Sequence, residues 1–463
     1  MADEQGFPRR MTNADSIMWN MERDPILRST VVTVALLDHV PDWREVRRRF
    51  LAAGEEVPRL RQRVATAPYG NPVWEHDPRF EPQYHLRRAR VAAPGDAASV
   101  FEHAAQFGMG AFDRARPLWQ MMLLEGLDDD RAALILKFHH SMTDGVGAIR
   151  LAMALFDDRP DPVRRLHPLA ASGAQAGRGP DLSLRRAVPA LAGLARRSVG
   201  VVGRALADPA GEATRALDTA RWAGRLVAPV TRPLSPILVG RSLSWHYDAF
   251  DVPLAPLRDA AHLAGCSLND AYMSAVAGGL ARYHRLHGAA VNDLRITLPV
   301  SIRRPGDPLG GNRFTPVRFP VPVAIADPVE RMKAVHNLVK AWREGPAMPL
   351  TDRLAAVLNA LPPAVTTQVF GQMLKNVDFV ATNIPGYPVT VYLAGAEILD
   401  QYAFSPLTGA AVNVSLLSYV DRCCIGVNTD GAAVHDPPAL TASLRAGFDE
   451  VASVATPAAA AGS

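Results

Sequence analysis

An apolar run, Leu134-Ile135-Leu136-Lys137-Phe138, ends in His139-His140, and Asp144-Gly145 follow four and five positions after the second histidine. This order puts an imidazole at the mouth of a strand with an acidic turn behind it. Making an ester or amide from a thioester requires a base to take the proton of the attacking acceptor. Neutral imidazole, with an unperturbed pKa of about 6.5, suits that work. The thioester is already activated, so neither a metal nor an enzyme nucleophile is needed. Successive residues on a strand face opposite ways, so only one of His139 and His140 can point into a given cavity. Asp144 could serve as a second base. A carboxylate just before a glycine turn more often anchors its loop, with an arginine such as Arg303 as partner. Gly145 lets the chain turn tightly and admits a substrate close to the backbone. The plain alternative is a strand, a polar loop and a helix that happen to carry histidines, so the surroundings must decide.

Other chemistries lack their residues. No Gly-x-Ser-x-Gly elbow supplies a serine nucleophile, and no Walker-type loop ends in Lys-Ser/Thr. Gly310-Gly311-Asn312 is too short to cradle a nucleotide phosphate by itself. Cys266, Cys423 and Cys424 form no disulfide framework, and no His/Cys cluster has zinc spacing, so no metal is expected.

The elements that must position the histidines alternate between strand and helix on both sides of a central linker. Residues 29–37, 118–124 and 132–138 read as strands, and 43–53, 98–107 and 146–156 as helices. In the second half, residues 243–252, 294–302, 318–323, 389–393, 412–420 and 423–428 read as strands. Helices are expected over 254–264, 269–284, 327–344, 350–360 and 438–451. Between the halves, composition turns to Pro, Gly, Ala and Arg. The organisation expected is a first domain over 1–157, a linker over 158–240, a second domain over 241–455 and a disordered tail over 456–463, an α/β architecture of two similar layers. Within the linker, residues 183–207 hold Arg185, Arg186, Arg196, Arg197 and Arg204 with no acid among them. That stretch is either a basic amphipathic segment for an anionic lipid surface or a solvated arginine face on a connecting helix.

Composition sets further bounds. At 463 residues the chain exceeds one ordinary core, and 48% hydrophobic with 21% charged residues is that of a globular protein. A net charge of +4 gives no pointer to nucleic acid. The longest apolar stretches are cut by Arg, Pro or Gly, and the N-terminus lacks a signal-peptide core. A cytoplasmic protein without membrane spans is expected.

The chain resembles the bacterial wax ester synthase/diacylglycerol acyltransferase family. The resemblance rests on His139-His140-Ser141-Met142-Thr143-Asp144-Gly145 together with further blocks in the family's order. These are Pro58 to Arg63, Arg116-Pro117-Leu118-Trp119, Ser267-Leu268-Asn269-Asp270, Leu298 to Arg303, Gly311-Asn312 and Thr382-Asn383-Ile384-Pro385-Gly386. Two stretches depart from it. Asn13 to Trp19 matches only loosely, and Leu27 to Val31 replaces a usual Pro-Met-His-Val-Gly string. If that strand lines the acyl pocket, chain-length preference differs from typical members.

The resemblance implies two coenzyme-A-dependent acyltransferase domains, like those of chloramphenicol acetyltransferase, with the active site in a tunnel between them. It implies transfer of a long-chain acyl group from acyl-CoA, as co-substrate and with no other cofactor, to diacylglycerol or a fatty alcohol. By carry-over His140 is the general base, with His139, Asp144 and Gly145 completing the motif. Asn269 is the candidate oxyanion donor, although it could equally be a helix N-cap. Asp270, Pro117, Leu118 and Trp119 are expected to line the substrate site, the last three as tunnel wall. Work at a membrane face or lipid inclusion would suit such acceptors. Two other functions share the motif or the fold: a condensation enzyme acting on carrier-protein thioesters, and a lipid-binding relative without activity.

Overall fold

A computed structural model describes residues 7–66, 70–142, 154–160, 228–301, 312, 314–344, 359 and 362–455. The first half runs α1 (Asn13–Met21), β1 (Thr30–Leu37), α2 (Trp43–Glu56), β2 (Gln62–Ala65), β3 (Val73–His76), α3 (Pro82–His85), β4 (Leu86–Arg90), α4 (Ala97–Met109), β5 (Trp119–Glu125) and β6 (Ala132–His139). The second runs β7 (Trp245–Pro253), α5 (Leu254–Leu263), α6 (Leu268–Leu286), β8 (Asp293–Ser301), β9 (Phe314–Pro322), α7 (Pro328–Arg343), α8 (Pro363–Leu374), β10 (Phe379–Ile384), β11 (Tyr392–Leu393), β12 (Ala396–Phe404), β13 (Val412–Tyr419), β14 (Arg422–Asp430) and α9 (Pro437–Ser453).

These strands form two six-stranded mixed sheets, ordered β11-β12-β1-β6-β5-β4 and β7-β14-β13-β10-β8-β9, and a small β2-β3 pair. The mixed α/β class with two sheet-bearing layers is therefore as the sequence implies. β6 lies in the interior of the first sheet, antiparallel to both neighbours, with Thr30 opposite His139 and Trp119 opposite Phe138. It is covered on both faces, which is why Ala132–His139 reads as a nearly unbroken apolar run.

The first sheet is not built from the first half alone. β11 and β12 come from the second half, and β12 pairs antiparallel with β1. β12 then carries the contact between sheets. A Cβ on Gly426 of β14 would stand 2.2 Å from the Ala403 carbonyl oxygen on β12, so only glycine fits. Beside it Tyr247 stacks on Phe404 at 4.2 Å between ring centroids.

The helix α1, absent from the sequence expectation, docks on the second half. Ile17, Met18, Met21 and Leu27 bury themselves with Phe370, Met373 and Leu374 of α8. The strand expected over 389–393 is reduced to Tyr392–Leu393, while β10 and β12 on either side were not foreseen. Most of the helices expected over 146–156 and 350–360, and all of 183–207, lie outside the described residues. Among the described residues no helix is long and apolar enough to cross a membrane.

Gly426→Val should destabilise the protein by at least about 1–3 kcal/mol, because the obstructing atom is backbone and cannot rotate away. The urea midpoint measures this, and an unchanged midpoint would refute the close sheet contact.

Candidate active site

The two histidines sit where β6 ends. The His139 N–H donates to the Leu118 carbonyl at 2.9 Å, so the Pro117-Leu118-Trp119 block fixes the strand end through its backbone. The His140 N–H donates to the Ser29 carbonyl at 2.8 Å, and the chain then turns in a short 3-10 segment, His140–Met142.

His139 is fully buried, and both of its ring nitrogens face specific groups. Nδ1 accepts from the Ser141 N–H at 3.0 Å and from its hydroxyl at 2.7 Å. Accepting a backbone N–H requires a lone pair on Nδ1, so the ring proton sits on Nε2, 3.1 Å from Glu22 Oε1. The same Glu22 oxygen accepts the Ser29 N–H at 2.7 Å. Trp19 and Phe112 meet the His139 ring edge-on. Burial would raise the Glu22 carboxyl, but the charge that His139 carries when protonated, together with the Ser29 N–H and Arg114, brings it below its ordinary value. His139 is thus braced between Ser141 and Glu22.

His140 is half-buried and faces another way. Its Nδ1 lies 3.1 Å from Asn312 Oδ1. The Asn312 Nδ2 donates to the His140 carbonyl at 2.7 Å and to Asp15 Oδ1 at 2.6 Å, and its main-chain N–H reaches the same Asp15 oxygen at 3.0 Å. Asp15 closes the capping box of α1, its Oδ2 accepting the Thr12 N–H at 3.0 Å. Burial pushes the Asp15 carboxyl above its ordinary value, against the lowering effect of these hydrogen bonds from Asn312 and Thr12.

The remaining sequence candidates fall into separate surroundings. Trp119 shares a sheet face with Phe138, opposite to that of His139. Its ring stacks on His85 and Phe50, and its Nε1 donates to the Leu60 carbonyl at 2.8 Å. Pro117 and Leu118 are buried beside it. Asn269 stands in the first turn of α6, and its Oδ1 accepts from Asn383 Nδ2 at 3.5 Å, joining two of the sequence blocks. The N-cap there is Ser267 rather than Asn269. Asp270 completes the box, its Oδ2 accepting the Ser267 N–H at 2.9 Å and hydroxyl at 2.7 Å. His336 Nδ1 also lies 2.9 Å from that oxygen. The fold gathers Cys266, Asp270 and His336 with ligand-type atoms within 4.8 Å of one another, a grouping that sequence spacing does not reveal. Asp144, Gly145 and Arg303 lie outside the described residues.

Sequence reasoning gave no role to Asp15, Glu22 or Ser141, the first and last of which it met only inside longer blocks, and it met Asn312 only as part of a short block. The Thr12-x-x-Asp15 spacing was the available signal for a helix start. Lys137, two residues before His139 on the same face, was also passed over. Its ammonium is buried against Phe107 and Phe112, donates to the Gly110 carbonyl at 2.6 Å, and has its pKa lowered by burial to about 8.

Solved structures of two kinds are similar to this chain. One is the wax ester synthase/diacylglycerol acyltransferase from Marinobacter aquaeolei VT8, with a TM-score of 0.60, 21% identity and coverage of 96% of this chain and 99% of that one. The other comprises condensation domains, such as the first of the calcium-dependent antibiotic synthetase, with a TM-score of 0.60, 17% identity and 97% of each chain covered. The two-sheet fold is thus shared with a wax ester synthase/diacylglycerol acyltransferase and with condensation domains.

Sequence comparison narrows the class. The profile of the wax ester synthase/diacylglycerol acyltransferase catalytic domain matches residues 11–272, and that of the family's C-terminal domain matches residues 310–452. The chain belongs to the wax ester synthase/diacylglycerol acyltransferase family and is an acyltransferase. A Mycobacterium tuberculosis H37Rv protein bearing the name of a diacylglycerol O-acyltransferase is 36% identical over 472 residues, covering 98% of this chain and 94% of its own length. Another of the same name and organism is 27% identical over 473 residues, with 96% and 98% covered.

The depressed Glu22 carboxyl gives a pH test. Its stabilising effect is fully present above the ordinary value of 4.5 and is lost as pH falls through the depressed folded-state value. Urea midpoints of the parent and Glu22→Gln should differ at about pH 7 and converge as pH falls below the ordinary carboxylate range. A gap that does not change with pH would mean that the Glu22 charge contributes nothing there.

Proposed function

We propose that this acyltransferase moves a long-chain acyl group from acyl-CoA to a lipid alcohol, diacylglycerol or a fatty alcohol, with His140 as general base. The observation that carries this reading is the contrast between the two histidines. His139 uses Nδ1 as an acceptor and turns Nε2 to Glu22, whereas His140 presents Nδ1 to the Asn312 carbonyl oxygen. In a neutral ring with its proton on Nδ1, Nε2 holds the lone pair that a base needs.

The alcohol oxygen attacks the thioester carbonyl carbon as its proton passes to His140 Nε2. The tetrahedral oxyanion collapses, the C–S bond breaks, and the departing thiolate takes the proton back from Nε2. The products are the ester and free CoA, with His140 neutral again. Asn269 is the proposed oxyanion donor. Its Oδ1 accepts from Asn383 and one Nδ2 hydrogen reaches Met273 Sδ at 3.5 Å, which leaves the second Nδ2 hydrogen for donation. Asp144 and Gly145 are proposed to shape the loop after His140, and Pro117, Leu118 and Trp119 to support the strand end. Asp270 is proposed to bear on substrate through the start of α6.

The acceptors reside in lipid phases, so the enzyme is proposed to work peripherally at a cytoplasmic membrane face or lipid inclusion, with the arginines of 183–207 as its anionic-surface contact. Condensation domains share the fold at similar scores, but the two family profiles and the 36%-identical relative favour the lipid reading.

Purified protein incubated with palmitoyl-CoA and either dioleoylglycerol or hexadecanol should release thiol and form triacylglycerol or wax ester. Release only from a phosphopantetheine-linked carrier would overturn the reading. His139→Ala should keep partial activity while losing stability through its Glu22 and Ser141 contacts, and Asn269→Ala should lower kcat by about 10²–10³-fold with little change in KM.

A further inference from the structure

The neutral His140 ring has two tautomers, and only the one with its proton on Nδ1 leaves Nε2 able to accept a proton. The group facing Nδ1 selects between them. An amide carbonyl oxygen there stabilises Nδ1–H, and the NH₂ end of the same amide would stabilise the inert tautomer. We propose that Asn312, clamped by Asp15, is the positioning residue that selects the reactive tautomer of His140. The inference rests on His140 being the base.

The orientation of the Asn312 amide is set by its surroundings. Its Nδ2 reaches Asp15 Oδ1 and the His140 carbonyl oxygen, two atoms that accept hydrogen bonds. A flipped amide would bring Oδ1 against both and replace two hydrogen bonds with two repulsions. Asp15 cannot easily yield, because its other oxygen caps α1 through Thr12 and the first oxygen also takes the Asn312 main-chain N–H. Asp15 and Asn312 are 1% and 2% exposed, so water cannot substitute for either partner. The helix carrying Asp15 is itself held by the apolar contact of Met18 and Met21 with α8. A docked α1 is thereby made a condition for a competent base.

The choice of asparagine also has a chemical reason. A carboxylate at this place would fix the same tautomer but would stabilise the imidazolium and hold the base protonated to higher pH. Asn312 gives the direction without the charge. Burial favours a proton on Asp15, yet its oxygens receive only donors here, so the clamp is strongest with Asp15 ionised.

Asn312→Ala should lower kcat by roughly 10- to 100-fold, less than the ~10²–10⁴-fold by which a positioned base accelerates reactions because the base itself remains, and leave the acyl-CoA KM within about twofold. Asp15→Ala should act in the same direction, and the double variant should be no slower than Asn312→Ala alone, since both act through one contact. Asn312→Asp keeps an acceptor toward Nδ1 but sets its second oxygen against Asp15 Oδ1 and the His140 carbonyl, so it should be slowed like Asn312→Ala. Nitrogen NMR of ¹⁵N-histidine-labelled protein, with the His140 signals assigned by their loss in His140→Ala, should show Nδ1–H in the parent and Nε2–H in Asn312→Ala. An unchanged tautomer or unchanged kcat in Asn312→Ala overturns the proposal. If Asn312→Ala does not fold, Asp15→Ala decides by the same criteria of kcat and ring tautomer. Full activity in His140→Ala would instead remove the base assignment. An inactive His140→Ala beside a fully active Asn312→Ala removes only the role of Asn312.

Discussion

The structure turns on one buried contact, the Asn312 amide lodged between Asp15 and His140. Asp15 belongs to the first helix, His140 to the end of a central strand, and Asn312 to the opposite half of the chain, 297 and 172 residues away from them. None of the three is placed by its own element alone. Each polar atom among them would be costly to bury unpaired, so the elements bearing them must arrive in register together. The site is thus a consequence of how the halves join, and its geometry reports on that joining.

The joining is done largely by chain crossing over. β12 leaves the second half to pair with β1, and from there touches β14 through the Gly426 contact. β1 lies between β12 and β6, so the strand that ends in the histidines is bounded on one side by a partner that borrows from the far half. α1 makes the reciprocal crossing, seating Ile17, Met18 and Met21 against α8. Relative motion of the halves would have to break sheet hydrogen bonds as well as apolar contacts. His140, the proposed base, has its hydrogen-bond partner on the other half and would require that rigidity.

The local parts of this arrangement were legible in sequence. β6 reads from its apolar run because it is covered on both faces, and α2 and α6 read from their helical spacing. The resemblance blocks brought the family, the fold and His140 forward together. The Ser267-to-Asp270 string was ambiguous between two caps, and only coordinates show the Ser267 hydroxyl and Asp270 carboxylate closing the box. β12 was not legible. Asp400 and Gln401 interrupt its apolar pattern, and Asp400 is tolerated in a strand because Arg422 of β14 pairs with it at 2.8 Å. Asp15 was not legible as part of the site either. Its spacing to Thr12 announces a helix start, but its contact with Asn312 is tertiary and leaves no periodicity to read.

The most direct test of the account is the pH dependence of acyl transfer, followed by thiol release for the parent and for His140→Gln, with circular dichroism confirming the fold of the variant. The account predicts a parent rate that falls on the acid side through a single protonation. It predicts a residual rate in the variant at least about 100-fold lower and without that acid limb. A folded His140→Gln enzyme that keeps both the parent's rate and its acid limb would contradict the central claim.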